Sequence, residues 1–146
     1  MVDTVDQADV IIVGAGISGL TAAHILAGHG LSILLLDKGR SVGGRLATRR
    51  IGMGVADHGA QFFTARSPAF QSYVDRWLAD GVIYQWSNGF SDGIKTAEQF
   101  DGHPRYAARG GMNALAKHLA GQMPSSVSIR TDVKVTKLAP KDEGWQ

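Results

Sequence analysis

A glycine-rich segment near the start of the chain has a spacing suited to phosphate binding. Residues 14–19 read Gly-Ala-Gly-Ile-Ser-Gly and follow an apolar, β-branched run at 9–13. In this pattern Gly14 permits a tight strand-to-helix turn, Gly16 lets the backbone approach a pyrophosphate, and Gly19 lets the helix lie close to the strand. The amino end of that helix would offer unpaired N–H groups and a partial positive charge to the anion. The cofactor-binding residues predicted here are Gly14, Ala15, Gly16, Ile17, Ser18 and Gly19.

An acidic residue, Asp37, completes the pattern at the end of a second apolar run, 31–36. A dinucleotide-binding fingerprint has its acid about twenty residues beyond the glycines, where the carboxylate accepts hydrogen bonds from the adenosine ribose hydroxyls. The negative charge would disfavour a 2′-phosphate and so argues against NADP. The fingerprint does not separate FAD from NAD. It also leaves open a glycine turn that only connects a strand to a helix.

The residues that follow favour a flavin. Segment 37–48 reads Asp-Lys-Gly-Arg-Ser-Val-Gly-Gly-Arg-Leu-Ala-Thr and resembles the second cofactor motif of the monoamine oxidase-like flavoproteins. In such a loop Gly43 and Gly44 allow close backbone approach, and Arg45 can donate charge-assisted hydrogen bonds to pyrophosphate oxygens. The predicted cofactor-binding residues of this segment are Asp37, Lys38, Gly43, Gly44 and Arg45.

A later segment narrows the resemblance. Residues 57–66, Asp-His-Gly-Ala-Gln-Phe-Phe-Thr-Ala-Arg, are similar to the segment that passes the flavin ring in renalase and its bacterial relatives, and 104–106, 111–115 and 135–138 are similar to that family too. The resemblance implies an FAD-dependent oxidoreductase in which a substrate hydride passes to flavin N5 and oxygen reoxidises the ring to give peroxide. It implies that Val135 contacts the adenine through its backbone. The residues that it places near the isoalloxazine are Gly59, Ala60 and Gln61.

The elements expected to position these residues form an α/β fold. The runs at 9–13 and 31–36, with near-helical apolar spacing at 17–27 between them, predict a βαβ unit with a parallel sheet whose first strand is buried on both faces. Segment 39–59 shows no sustained period, which predicts an ordered loop with a short helix at 45–48. This unit places the glycines and Asp37 at the same end of the sheet.

The remaining elements suggest a small antiparallel insertion. Ser67 followed by proline predicts the N-cap of a helix that runs to Ala79, with its aromatic side chains in a core. The other predicted elements are strands at 82–86 and 94–100 around an Asn88-Gly89 turn with a second loop at 91–93, a helix at 112–121, strands at 127–129 and 133–138, and a turn at 142–144.

These elements predict a Rossmann-like FAD-binding domain with a parallel sheet and the start of an inserted antiparallel substrate domain. The cofactor domain is expected at 1–66 and 107–146, and the substrate domain is expected to begin at 67–106. Members of the resembled family are usually longer. We therefore expect a second chain or a carboxyl-terminal half to complete the enzyme.

The amino-acid composition limits the kinds of partner that the protein is expected to have. The chain has 146 residues, 44% apolar and 19% charged, with a net charge of +2. Its basic cluster lacks any nucleic-acid motif, no signal peptide or bilayer-length apolar run is present, and there is no cysteine. We expect a cytoplasmic protein with a small-molecule substrate and no nucleic-acid or membrane partner.

The sequence leaves the substrate and the catalytic residues open. A dihydronicotinamide isomer and an amine are both compatible with the resemblance, and no metal-ligand spacing or catalytic triad is visible. Two other readings stay open: an NAD(P)-binding Rossmann dehydrogenase, and a truncated, non-catalytic nucleotide-binding module.

Overall fold

The computed structural model describes residues 7–90, 99–141 and 144–145. The chain divides into two compact units: a first unit of residues 1–44 and 119–146, and a second unit of residues 45–118. In chain order the elements are β1 (Val10–Val13), α1 (Ile17–Gly28), β2 (Ile33–Leu36), a 3₁₀ helix (Gly44–Leu46), β3 (Thr48–Ile51), β4 (Gly54–Asp57), β5 (Phe63–Thr64), α2 (Pro68–Ala79), β6 (Ile83–Phe90), β7 (Gln99–Ala108), α3 (Asn113–Gly121), β8 (Val127–Arg130), β9 (Pro140–Lys141) and β10 (Gly144–Trp145).

The two units do not follow the predicted domain boundaries, which stood at 66/67 and 106/107. The second unit begins with Arg45 and ends with His118. In the chain it lies between the two segments of the first unit. The assignment of a substrate domain to 67–106 stays a prediction.

The first unit is built on a parallel sheet of order β1-β2-β8. The predicted βαβ unit is confirmed, and the strand predicted at 127–129 is β8, which pairs with β2 from Ile33 opposite Val127 onward. Helix α1 buries Leu20 and Ala23 completely. These apolar side chains and the central strand β2 form the core of the unit.

One expectation for β1 was wrong, because the strand is not buried on both faces. Ile11 is 40% exposed and Val13 is 57% exposed. Successive side chains of a strand point to opposite faces, and Ile12, on the other face, lies against the start of α1 at Gly19. Helix α1 therefore covers only one face of this strand.

The predicted strand at 133–138 is also wrong. The backbone N–H groups of Asp132 and Val133 donate to the carbonyls of Gly39 (2.7 Å) and Asp37 (2.9 Å), and the following residues to 139 have no regular structure. Alternating apolar residues form a strand only when a partner backbone lies alongside, and none pairs with 134–138 among the described residues. Of the turn predicted at 142–144, residues 142 and 143 lie outside the described residues.

The second unit contains an antiparallel sheet of order β5-β7-β6, the β3–β4 hairpin and helix α2. The predicted cap of α2 is confirmed, since Ser67 Oγ accepts the N–H of Phe70 at 3.2 Å. Trp77 is 5% exposed and packs edge-on against Phe63, with ring centroids 6.1 Å apart. The aromatic residues of α2 therefore contribute to a core, as expected.

One turn prediction in this unit was wrong. Asn88-Gly89 lies inside β6, where the pairing with β7 shifts register, and the Gly89 N–H bonds to Ser87 Oγ at 3.1 Å. Local side-chain hydrogen bonds therefore support an irregular strand and not a reversal. Only Gln99 and Phe100 of the predicted strand at 94–100 are described, within β7. The loop predicted at 91–93 lies outside the described residues.

The predicted loop at 39–59 contains more structure than expected. The short helix is a 3₁₀ turn at Gly44–Leu46, and the β3–β4 hairpin follows it around Gly52, which has φ +58°. Within the parts of the chain that the structure describes, no helix combines the length and the hydropathy needed to cross a bilayer.

Candidate functional site

The first glycine loop has the backbone that its sequence predicts. Gly14 adopts φ +106°, a conformation that L side chains rarely take. A Cβ at Gly19 would overlap the carbonyl oxygen of Gly14. The turn and the close approach of α1 therefore both require glycine at these two positions.

Gly16 differs from these two glycines, because neither a positive φ nor a close protein atom requires glycine there. Gly16 is the N-cap of α1 with φ −75° and ψ 179°, and a Cβ there would meet no protein atom within 4 Å. The helix has no side-chain cap and no acidic residue in its first turn. Its first N–H groups, which have no intrahelical partners, are thus available to an anion.

Asp37 is held at this loop by its carboxylate. Oδ2 accepts the N–H of Ala15 at 2.6 Å, and Oδ1 accepts the N–H of Gly39 at 2.7 Å. The side chain is half-buried. A carboxylate has about four lone-pair sites, so both oxygens retain the capacity to accept ribose hydroxyls.

The second glycine loop lies directly against the first. The N–H of Gly43 donates to the carbonyl of Ala15 at 2.7 Å, and Gly43 forms an isolated parallel bridge with Gly16. Gly44 has φ +51°, and a Cβ there would lie 3.4 Å from the Cα of Gly16. The structure therefore brings together, in one unit, both glycine motifs and the acid that the sequence predicted.

The other cofactor-binding residues predicted in the first unit are Ile17, Ser18, Lys38 and Val135. Ile17 and Ser18 form the first turn of α1, and the Lys38 side chain is exposed. Val135 is half-buried, two residues beyond the hydrogen bond between Val133 and Asp37. The role at the adenine that the resemblance gave to Val135 stays a prediction.

The predicted residues of the second unit form a separate contact. The N–H of Ala60 donates to the carbonyl of Arg45 at 2.8 Å, and a Cβ at Gly59 would overlap that same carbonyl. Arg45 itself has an exposed side chain, and so does Gln61. The backbone around Gly59 is thus fixed to Arg45, and glycine is required there by packing.

Gln61 opens onto a cavity that lies within the second unit. The cavity has a volume of about 440 Å³, within the range of roughly 300–1,000 Å³ that ligand pockets occupy. Its lining includes Val55, Asp57, Gln61, Tyr84, Trp86 and Gly110. Sequence reasoning gave no role to Tyr84, Trp86 or Gly110.

A hydrogen-bond network fixes Asp57 at the wall of this cavity. Thr48 Oγ1 donates to Asp57 Oδ1 at 2.5 Å, and the N–H of Met112 donates to the same oxygen at 2.9 Å. Thr48 Oγ1 also accepts the N–H of Asn113 at 3.0 Å. The β3–β4 hairpin thus caps the amino end of α3. No local pattern signals this network, because the partners are far apart in sequence.

The site contains no evident metal centre in the part of the chain that is described. No three His, Asp or Glu side chains there are grouped so that they could hold a metal ion. The first unit presents backbone amides and the Asp37 carboxylate at the glycine loops, and the second unit presents the Asp57 carboxylate at its own cavity.

The fold and the two glycine loops define a Rossmann-like α/β nucleotide-binding fold, and comparison with known proteins agrees. Residues 12–77 match the family of NAD(P)-binding Rossmann-like domains. A solved chain from Exiguobacterium, assigned as a protoporphyrinogen oxidase, superposes on 92% of this chain with a TM-score of 0.67 and 14% identity. At that identity the likeness shows the fold alone.

Curated relatives match shorter segments. An L-amino-acid oxidase of Echis ocellatus is 47% identical over 47 residues, 32% of this chain. A hydroxyneurosporene desaturase of Rubrivivax gelatinosus is 42% identical over 57 residues, 39% of this chain. A UDP-galactopyranose mutase of Mycoplasma pneumoniae is 56% identical over 36 residues, 25% of this chain. The chain is similar to parts of oxidoreductases, among other enzymes.

These matches cover little of the relatives themselves. The matched segments make up 9%, 11% and 9% of the three curated proteins, and the superposition covers 55% of the solved chain. The chain therefore spans only part of the length of the proteins that it matches.

Proposed function

We propose that this chain binds FAD and forms part of an FAD-dependent oxidoreductase of the renalase-like kind. The observation that carries the proposal is the contact between the two glycine loops, where Gly43 and Gly44 lie against Ala15 and Gly16 at the amino end of α1. Two glycine-rich backbones at one helix terminus favour a diphosphate that both can approach.

The residues predicted to bind the cofactor each have a role in this proposal. The first N–H groups of α1 donate to the pyrophosphate, and the open space beside Gly16 admits it. Asp37, oriented by Ala15 and Gly39, accepts the ribose hydroxyls. Lys38 and Arg45 supply positive charge near the phosphates, and Val135 contacts the adenine through its backbone.

The second unit contributes the residues proposed beside the flavin ring, namely Gly59, Ala60 and Gln61. When bound, FAD supplies the redox chemistry by taking a hydride from the substrate and passing its electrons to oxygen. The protein binds and orients the reactants and excludes water from them. The proposed substrate is a small molecule, either a dihydronicotinamide isomer or an amine. We further propose a cytoplasmic location and completion of the enzyme by a further segment or a second chain.

An NAD-binding dehydrogenase is the second candidate, and one observation favours it. The family that matches residues 12–77 is that of NAD(P)-binding Rossmann-like domains. The fixed carboxylate of Asp37 favours a free ribose 2′-hydroxyl, so this candidate is NAD and not NADP.

The visible absorption spectrum of the purified chain tests the proposal, together with identification of any nucleotide that heat releases. A flavin spectrum with released FAD supports it. A colourless protein that FAD does not reconstitute, and whose melting temperature NAD raises, refutes it in favour of the second candidate.

A pair of glycine variants makes the test specific. Gly16→Ala places a Cβ where no protein atom lies within 4 Å, so the fold should persist while the pyrophosphate is obstructed. We expect at least tenfold weaker FAD binding. Gly28→Ala, at the other end of α1 and equally uncrowded, is the matched control and should bind FAD like the parent. Circular dichroism confirms that both variants fold.

A further inference from the structure

We infer that Asp132 is a positioning residue for the carboxylate of Asp37. Its left-handed backbone holds segment 130–133 against loop 37–39 and so fixes the acid that accepts the ribose hydroxyls. This inference rests on the proposed function, which gives Asp37 that binding role. All of these residues belong to the first unit.

Asp132 has a backbone conformation that is uncommon for a residue with a side chain. Its φ is 61°, and it is the only non-glycine residue with a positive φ in the described part of the chain. A left-handed backbone is disfavoured for L residues because Cβ comes too close to the following carbonyl oxygen, and glycine, asparagine and aspartate adopt it most readily. The chain therefore has one of the few suitable residue types at this position.

The positive φ directs two successive N–H groups towards the same loop. In an extended strand neighbouring N–H groups point in opposite directions, whereas a left-handed residue can turn them to one side. Here the N–H of Asp132 donates to the carbonyl of Gly39 at 2.7 Å, and the N–H of Val133 donates to the carbonyl of Asp37 at 2.9 Å. A residue that avoids positive φ at position 132 would therefore lose at least one of these bonds.

Asp37 is bonded to this segment on both sides of its backbone. Its N–H donates to the carbonyl of Arg130 at 2.9 Å, where β8 ends, and its carbonyl accepts the Val133 N–H. Gly39, which accepts from Asp132, in turn donates to Asp37 Oδ1 at 2.7 Å. Segment 130–133 thus fixes the main chain of Asp37 and also the residue that orients its carboxylate.

The Asp132 side chain takes no part in these contacts. It is exposed, and its carboxylate forms no hydrogen bond or ion pair among the residues that the structure describes. Asp132 therefore acts through its backbone conformation and not through its charge. The conservative replacements are those that accept a left-handed backbone, asparagine and glycine.

ADP and 2′-deoxy-ADP test this role, because they differ by one ribose hydroxyl. Both are titrated calorimetrically into the full chain and its variants after dialysis to remove bound nucleotide. The parent should bind ADP more tightly than 2′-deoxy-ADP. Asp132→Val should weaken ADP binding about fivefold to thirtyfold, the factor that corresponds to the cost of a left-handed residue. It should also bring the two affinities closer together, because the displaced carboxylate no longer detects the missing hydroxyl.

Control variants separate backbone conformation from charge and from general disturbance. Asp132→Asn and Asp132→Gly remove the charge but accept a positive φ, so both should bind ADP within about twofold of the parent. Ser128→Val introduces the same side chain at an exposed position of β8 and should leave ADP binding unchanged. Asp132→Ala should show the same change as Asp132→Val at smaller size, and it replaces that variant if circular dichroism shows it to be unfolded.

Three results overturn the inference. One is equal ADP affinity in folded Asp132→Val and the parent. Another is a loss of affinity in Asp132→Val with an unchanged ratio between the two nucleotides, because general disturbance of the unit weakens both alike. The third is a parent that does not distinguish the two nucleotides.

The FAD content of each purified protein, read from its absorption spectrum, separates this role from the proposed function. A parent that contains no FAD but prefers ADP, and loses that preference in Asp132→Val, refutes the flavoprotein proposal and supports the role of Asp132. A parent that contains FAD and whose nucleotide preference does not change in Asp132→Val gives the reverse result.

Discussion

Replacing Thr48 by alanine should destabilise the second unit by about 2 kcal/mol. The hydroxyl donates to the carboxylate of Asp57 and accepts the N–H of Asn113. A hydrogen bond to a charged group contributes about 1.5–3 kcal/mol and a neutral one about 0.5–1.5 kcal/mol. Thr48 is half-buried, so water compensates for part of this loss and the lower end of the range applies.

Urea denaturation followed by circular dichroism measures this change. Thr48→Ser keeps the hydroxyl and removes a methyl group, so its loss should stay below about 1 kcal/mol. Thr48→Val keeps the shape, removes the hydroxyl and should resemble alanine. A loss of about 2 kcal/mol corresponds to a decrease in Tm of about 4–8 °C for a chain of this size. Equal stabilities of the serine and alanine variants would refute the role given to the hydroxyl.

Other predictions concern single contacts. Gly19→Ala should yield little folded protein by circular dichroism, because its Cβ would overlap the backbone carbonyl of Gly14; a soluble, parent-like variant would contradict this. Ser67→Ala should cost about 1 kcal/mol of unfolding free energy through loss of the α2 cap, and Ser67→Asn should restore most of it. Hydrogen bonds from Ser32 lower the pKa of Asp9 below 3.8, so the stability they add is present above pH 3.8 and is lost as the pH falls through the lower, folded-state pKa. An NMR titration of Ser32→Ala should show this pKa rising towards 3.8, and an unchanged value would exclude the Ser32 hydroxyl as the main cause.

The parts of the fold that the sequence predicted are those determined by local rules. The βαβ unit has a continuous apolar run, a helical period and glycines at the turns, so its elements follow from short-range pattern alone. Helix α2 likewise begins at Ser67 because a serine cap and a following proline act over a few residues.

The β3–β4 hairpin carries no such pattern. Nearly all of its residues are exposed on both faces, so no apolar alternation marks the strands. At Asn88-Gly89 the error was the opposite one, because a turn was predicted where the structure has a strand. This residue pair is typical of tight turns, but here it lies in β6 at a shift of register. In both places tertiary pairing, which a local pattern does not contain, decided the structure.

The candidate site also has parts that local motifs predicted and parts that they did not. Gly16, Gly43 and Asp37 lie together as the motifs predicted. The cavity of the second unit was not predicted, because its lining residues come from β4, β6 and β7, which are distant in sequence. Thr48 and Asn113 meet across 65 positions for the same reason.

The interrupted order of the first unit has a consequence for how the chain acquires its structure. On one edge β2 pairs with β8, where Val127 lies opposite Ile33, and the whole second unit lies between these two strands in the chain. This long loop must close before β2 and β8 can pair, and the entropy lost on closing it slows folding. During synthesis the second unit can therefore form while one edge of β2 is still unpaired. Until β8 is made, a strand of another chain could pair with that exposed edge.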